Sequence, residues 1–392
     1  MENTQNKQHT ILLSAGGTGG HLFPAQALAT EILKHGNRII LATDSRGLAF
    51  HEKSAWAQKS SIDVKVLPSA TMGSGLLGKI TALFTMGMGI LKALLLIKKT
   101  KPDCVVGFGG YPSFPAVFAA QLLNVPTILH EQNAVLGKAN ARLAKKAKKI
   151  AISLPDTEGV IHFVRKTILV GNPVRADILA QQGAALPAFD DNDTLNIFVM
   201  GGSQGARIFG EVIPAAIKSL PGDLQHRISI REQCRPEEID TVLKRFEETN
   251  ASADIRPFFN DVAKQLVRCH VFIGRSGAST VAEVAVVGRP ALFVPLKHSD
   301  GQQRRNAEAI AEAGGAWVME DENFTPQALG ELLKEFFEKP DMLLKAAEAA
   351  KSCGKPGATG RLARLVYDIG GGGGGQNASL HKDQEKEKDL AA

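Results

Sequence analysis

Residues 11–20 read ILLSAGGTGG and residues 197–205 read IFVMGGSQG. In each, a short apolar run breaks into closely spaced glycines, and a helix-length stretch follows. Laid over one another, Gly16 and Gly17 match Gly201 and Gly202 at an offset of 185 residues. The chain therefore reads as two similar halves. Outward from these openings, further apolar β-branched runs alternate with helical patterns: RIILAT, CVVGFG, PTILH and KIAIS in the first half, RISI, HVFIGRSG, ALFVPL and AWVME in the second. That alternation is the mark of βαβ units and a parallel sheet in each half. The join falls near 172–194, where GNPVR gives way to QQGAALPAFDDNDT. Domains of 9–175 and 190–349 follow, with 350–368 expected to pack back on the first. The stretch 370–392, glycines then charges, is expected to be a flexible tail.

Composition narrows the function. A chain of 392 residues, 44% hydrophobic and 22% charged, is long enough for two cores. Net charge is a mild +6, and two Trp and two Tyr are too few for a base-stacking platform, so no nucleic-acid partner is expected. An anionic small molecule or an anionic membrane surface suits this balance better. Cys104, Cys234, Cys269 and Cys353 lack CxxC spacing and read as reduced thiols, and MENTQNKQHT lacks the apolar region of a signal peptide.

A glycine turn between a strand and a helix offers free backbone N–H groups and the positive end of the helix dipole, which is an anion site. Neither opening is GxGxxG or GxxxxGK[ST], which argues against a dinucleotide fingerprint and a P-loop. A third such turn lies at IGRSGASTVAE, residues 273–283, and Glu283 stands one or two turns into its helix, where a carboxylate can accept from both hydroxyls of a ribose. A D-x-D occurs only at Asp191-Asn192-Asp193, in the join, so no metal or cofactor is expected.

Taken in order, GGTGGHLFPA, GFGGYPSFPA, HEQNAVLGKAN, VGNPVR, GGSQGAR, GRSGASTVAE and ALFVPLKHSDGQQRRNA resemble the MurG family of bacterial glycosyltransferases over residues 9–368. The resemblance implies an α/β fold of two Rossmann-like domains facing a cleft, the B-type glycosyltransferase fold. It also implies inverting transfer of N-acetylglucosamine from UDP-N-acetylglucosamine to the muramoyl 4-hydroxyl of undecaprenyl-pyrophosphoryl-MurNAc-pentapeptide (lipid I to lipid II) at the cytoplasmic membrane face. Carried onto this chain, it implies that Arg175, Ser203, Ala278, Ser279, Thr280, Glu283 and Gln302 or Gln303 bind the nucleotide sugar, with Phe259 as a backbone contact. Thr18, Gly19, Gly20 and Asn133 would close over it from the first half. Alternatives are another B-type enzyme, such as a glycolipid glycosyltransferase or a UDP-sugar 2-epimerase, and a non-catalytic nucleotide-sugar-binding scaffold.

With the second-half turns assigned to the donor, the turn from Gly16 and Gly17 to Gly20 is left for the acceptor's own diphosphate. A base must take the acceptor proton. The candidates are His21 and Glu131, with His130 behind them; His21 acts either as the base or as the partner that orients Glu131. Tyr111 and Ser113, on the GGYPSFP turn, are candidate acceptor contacts. Residues 80–97, ITALFTMGMGILKALLLI, carry one charge, Lys92, between flanking lysines. The favoured reading is a helix whose apolar face, with Leu76, Leu77, Leu83 and Phe84, lies on anionic lipid, aided by Lys138, Arg142, Lys145, Lys146, Lys148 and Lys149; the alternative is a buried core helix.

Overall fold

The computed structural model describes residues 8–17, 19–52, 56, 62–70, 75–190, 193–202, 205–297 and 301–371. The chain divides into two compact units: one runs to Arg175 and resumes at Gly357, and the other is Ala176–Pro356.

The first unit is built on seven parallel strands: β1 (Thr10–Ser14), β2 (Arg38–Thr43), β3 (Asp63–Val66), β4 (Cys104–Gly107), β5 (Thr127–Glu131), β6 (Lys149–Ile152) and β7 (Thr167–Leu169). Their order is β3-β2-β1-β4-β5-β6-β7. The helices are α1 (Gly19–Lys34), α2 (Ser45–Glu52), α3 (Gly75–Thr100), α4 (Gly110–Leu122) and α5 (Lys138–Leu143), with Ala358–Gly370 returning at the C-terminus. Strand β1 shows why its sequence is apolar without a break: both faces of the sheet are covered. Ile11 and Leu13 pack in one core with Leu22, Leu28 and Ile32 of α1 and with Leu362 and Val366 of the returning helix. Leu12 faces the other core, with Ala93 and Ile97 of α3 and Val117 of α4.

The second unit holds β8 (Leu195–Met200), β9 (Ile228–Gln233), β10 (Ser252–Arg256), β11 (Val271–Gly274), β12 (Ala291–Phe293) and β13 (Ala316–Val318), all parallel, in the order β10-β9-β8-β11-β12-β13. Arg289 is its most unusual core residue, fully buried. Its guanidinium donates to the carbonyls of Ala184, Ala185, Leu266, Val267 and Gly288, and so ties the segment after the division to two helix ends.

Three boundaries differ from the sequence expectation. The second unit starts at Ala176, so the polar stretch after GNPVR belongs to it. Residues 350–353 finish its helix Asp341–Cys353, and the chain returns only at Gly357. The returning helix continues through Gly370 and ends on a left-handed Gly371, two residues into the stretch expected as a tail; residues 372–392 lie outside the described residues.

Helix α3 is two-faced. Ala82, Ala93 and Ile97 are buried, and a methyl placed on Gly89 would stand 2.0 Å from the Pro68 carbonyl oxygen, so this face lies tight on the protein. On the opposite face Leu83 and Phe84 are 73% and 71% exposed, and Ile80, Leu91 and Leu95 extend the stripe. By length and composition, residues 78–100 could cross a membrane. One face bound along the protein instead leaves the other free to lie on a surface. The side chains of Leu76 and Leu77 lie outside the described residues.

Candidate active site

In a doubly wound parallel sheet, ligands bind beyond the carboxyl ends of the strands where the strand order reverses. Here β1 lies between β2 and β4, and β8 between β9 and β11. The two glycine openings follow these two strands.

In the first unit, Gly17 takes φ 84°, a conformation glycine adopts without penalty. Gly16 has no room for a side chain: a methyl there would stand 2.7 Å from Pro112 Cβ and 2.8 Å from Asp44 Oδ1. The Gly17 amide donates to Asp44 Oδ1 at 3.1 Å. That corrects the expected role of Gly17, whose N–H is committed to a carboxylate. Gly19 and Gly20 open α1, and Thr18 lies outside the described residues.

His21 is the third residue of α1. Its ring lies against a pair of consecutive left-handed glycines, Gly109 (φ 79°) and Gly110 (φ 72°). A methyl on Gly110 would stand 3.3 Å from His21 Nε2, and the buried Nδ1 has no partner. The imidazole thus stands at the meeting of the α1 and α4 starts, with no carboxylate holding it among the described residues.

Glu131 is a different matter. It is 2% exposed. Its Oε1 accepts from the Asn133 amide and side chain, both at 3.1 Å, and its Oε2 from the Gly137 amide at 2.9 Å and Asn140 Nδ2 at 2.8 Å. Four donors leave this carboxylate little capacity to accept a substrate proton. Glu131 is corrected from candidate base to organiser of the loop 133–140, and the Asn133 side chain is turned inward on it. His130 is fully buried, with Nε2 donating to the Gly171 carbonyl at 3.1 Å. Burial lowers its pKa to about 4; the Gly171 bond opposes this and the nearby His21 adds to it. Ser113 is also corrected: it is buried, its hydroxyl donates to the Gly110 carbonyl and its carbonyl accepts from Ser14 Oγ, so it faces the protein. Tyr111 stays at the start of α4, half-buried. Arg175 closes the first unit with its guanidinium 4.5 Å above the Phe23 ring.

In the second unit the turn after β8 carries left-handed Gly202 and Gly205, and Ser203 between them lies outside the described residues. Ala278, Ser279 and Thr280 are the first three residues of the helix Ala278–Val287, and Glu283 is buried one turn later. Gln302 and Gln303 open the helix Gln302–Glu312; Gln303 Oε1 accepts from the Leu296 amide at 3.0 Å. The Phe259 ring is buried edge-on against Phe198, which leaves only its backbone for a ligand. Arg275, which the sequence reading passed over, is turned inward to Asp321 and to the carbonyls of Val294 and Pro295. Among the described residues no group of three or more His, Cys, Asp or Glu could hold a metal ion.

Comparison with known proteins places this geometry. Residues 11–152 match the glycosyltransferase family 28 N-terminal domain and residues 196–362 its C-terminal domain. The chain belongs to glycosyltransferase family 28. Within family 28 it is 45% identical over 369 residues to the UDP-N-acetylglucosamine--N-acetylmuramyl-(pentapeptide) pyrophosphoryl-undecaprenol N-acetylglucosamine transferase of Rhodospirillum centenum, covering 94% of this chain and 96% of the relative. The transferase of the same name from Brucella canis is 42% identical over 375 residues, 95% of this chain and 97% of the relative. Among solved structures, MurG of Acinetobacter baumannii superposes with a TM-score of 0.73 at 28% identity, covering 92% of this chain and 99% of that one. The family 28 sheets carry the three glycine turns at their carboxyl edges in both units.

Two outcomes follow from the buried groups. Glu131→Ala should lower both melting temperature and kcat yet keep the acidic limb of the pH–rate profile; a thermally unchanged variant lacking that limb would return Glu131 to the role of base. His130 is charged more readily unfolded (ordinary pKa 6.5) than folded (about 4), so its stability contribution is intact above pH 6.5 and is lost as pH falls toward 4. That loss is worth about 3 kcal/mol. Denaturant unfolding between pH 7 and 4 should show the decline, and His130→Gln should flatten it.

Proposed function

We propose that this chain transfers N-acetylglucosamine from UDP-N-acetylglucosamine to undecaprenyl-pyrophosphoryl-MurNAc-pentapeptide, the lipid I to lipid II step of peptidoglycan synthesis. The observation that carries this is the near-full-length identity, 45%, to a transferase of that name. The second unit takes the donor: the amides around Gly202 and Gly205 and the start of Ala278–Val287 meet the diphosphate, and Glu283 meets the ribose. Developing charge on the leaving UDP is stabilised by these helix starts. The first unit takes the acceptor at the turn from Gly16 to Gly20. The muramoyl O4 attacks the anomeric carbon from the face opposite UDP, the bond from that carbon to the phosphate oxygen breaks with its electron pair on UDP, and the O4 proton passes to His21. With both Glu131 oxygens occupied, His21 is the group free to accept that proton.

The membrane side of the reading rests on α3. Its exposed stripe of Ile80, Leu83, Phe84, Leu91 and Leu95 is flanked by Lys79, Lys92, Lys98 and Lys99, an apolar face rimmed by cations as an anionic leaflet requires. The acceptor carries a polyprenyl chain, and a peripheral enzyme on the cytoplasmic leaflet meets it there.

His21→Ala should lower kcat about 10²- to 10⁴-fold, the range of a general base, with UDP affinity within twofold. Near-full turnover at saturating acceptor would remove His21 from the chemistry. Leu83→Gln with Phe84→Gln should weaken co-sedimentation with anionic vesicles by at least about 100-fold, from about 1.5–3 kcal/mol per apolar side chain, and spare UDP binding. Unchanged co-sedimentation would place the membrane contact elsewhere.

A further inference from the structure

Arg46 is the second residue of α2 and lies in none of the glycine motifs. Its Nε donates to Asp44 Oδ2 at 3.2 Å, while Asp44 Oδ1 accepts from the amides of Gly17 at 3.1 Å and Gly47 at 2.9 Å. One buried carboxylate therefore fastens the guanidinium to the turn after β1. That bond uses Nε alone. The two Nη groups, with four N–H donors, have no protein partner among the described residues, and Nη2 stands 3.6 Å from where a methyl on Gly17 would be. The side chain is 67% exposed, so the free fork is open to a ligand arriving over the turn.

The same contacts pose an electrostatic problem that Arg46 answers. Asp44 brings a negative charge to the turn and occupies the Gly17 N–H, which leaves the bare backbone a poor seat for a diphosphate. A guanidinium already oriented through Nε offsets that charge and presents a planar fork, the geometry that phosphate oxygens accept in pairs. We propose that Arg46 binds the diphosphate of the lipid-linked acceptor beside Gly16 and Gly17, just past the end of β1, with Asp44 as its positioning residue. This rests on the reading of the chain as a transferase to a lipid-diphosphate acceptor.

The test compares wild type, Arg46→Ala, Arg46→Gln and Arg46→Lys in steady-state transfer from UDP-N-acetylglucosamine to a soluble lipid I analogue, with inorganic pyrophosphate as inhibitor. In wild type, pyrophosphate should compete with the acceptor. Arg46→Ala and Arg46→Gln should raise the acceptor KM about 10- to 100-fold, the worth of losing charge-assisted hydrogen bonds, and weaken pyrophosphate inhibition in parallel, with donor KM within twofold. Arg46→Lys should recover only part, since an ammonium restores the charge without the fork. Donor affinity measured by UDP titration reports that each variant is folded, and Arg46→Gln, which keeps most of the stem, is decisive if Arg46→Ala does not fold. An acceptor KM within twofold of wild type in the glutamine variant would overturn the proposal, as would an equal loss in donor KM, which would assign Arg46 to the donor. A wild-type protein that transfers nothing to the analogue would sink the transferase reading itself, and the proposal with it.

Discussion

The absence of room for a Cβ at the end of β1 is the constraint on which the first unit's site depends. Gly16 passes so close to Pro112 of α4 and to Asp44 before α2 that any side chain would part them, and Gly47 in turn lies against the Gly16 backbone. Strand ends β1 and β2 and helix starts α2 and α4 are thereby drawn to one point. The side chains proposed to act then arrive without a fold of their own: His21 as the third residue of α1, Tyr111 at the start of α4, Arg46 at the start of α2. A substitution at Gly16 would unseat all three at once.

A second organising group sits one layer deeper. Glu131 at the end of β5 gathers the loop 133–140 through four donors, and Asn140, held by that carboxylate and by the His130 carbonyl, stands behind Gly109. Gly109 and Gly110 in turn support the His21 ring. The path from Glu131 to the imidazole therefore runs through packing and backbone, with no proton to pass along it. This is why a conspicuous His-Glu pair at a strand end, which reads as chemistry, divides into a neutral buried histidine and a structural carboxylate.

Much of this was legible in the sequence, and the exceptions have physical reasons. Central strands buried on both faces announce themselves as unbroken apolar runs, and the glycine turns mark the points where the strand order reverses. Strands β3 (DVKV), β7 (TIL) and β10 (SADIR) escaped, because at a sheet margin they are short and half-exposed and need no such run. Margin strand β13 was readable through its Trp and Val. The glycine turns at the strand ends and the place of His21 at the start of α1 were readable from spacing. The partners of Glu131 at 133, 137 and 140 were not, since only the folded loop brings them round, and the inward turn of Ser113 depends on the helix rotation. Arg46 lacked a motif; its one signal was its position just past the end of a strand beside β1.

Burial also gives the two units opposite responses to pH. His130 in the first is neutral when folded, so acidification below pH 6.5 works against that unit. Glu232 in the second is buried in β9, with one carboxylate oxygen unpartnered, and desolvation, reinforced by the charge of Glu238, raises its pKa to about 8. The folded second unit binds a proton there that the unfolded chain gives up, so this contribution is complete below about pH 4.5 and is lost as pH rises through 8. Each group is tolerated because its neutral form is the one that fits. Glu232 lies beneath the helix Arg207–Lys218, its Oε1 3.5 Å from where a methyl on Gly210 would be, and a charged carboxylate there would offset the positive end of the helix dipole. Keeping it protonated leaves the positive helix end uncancelled.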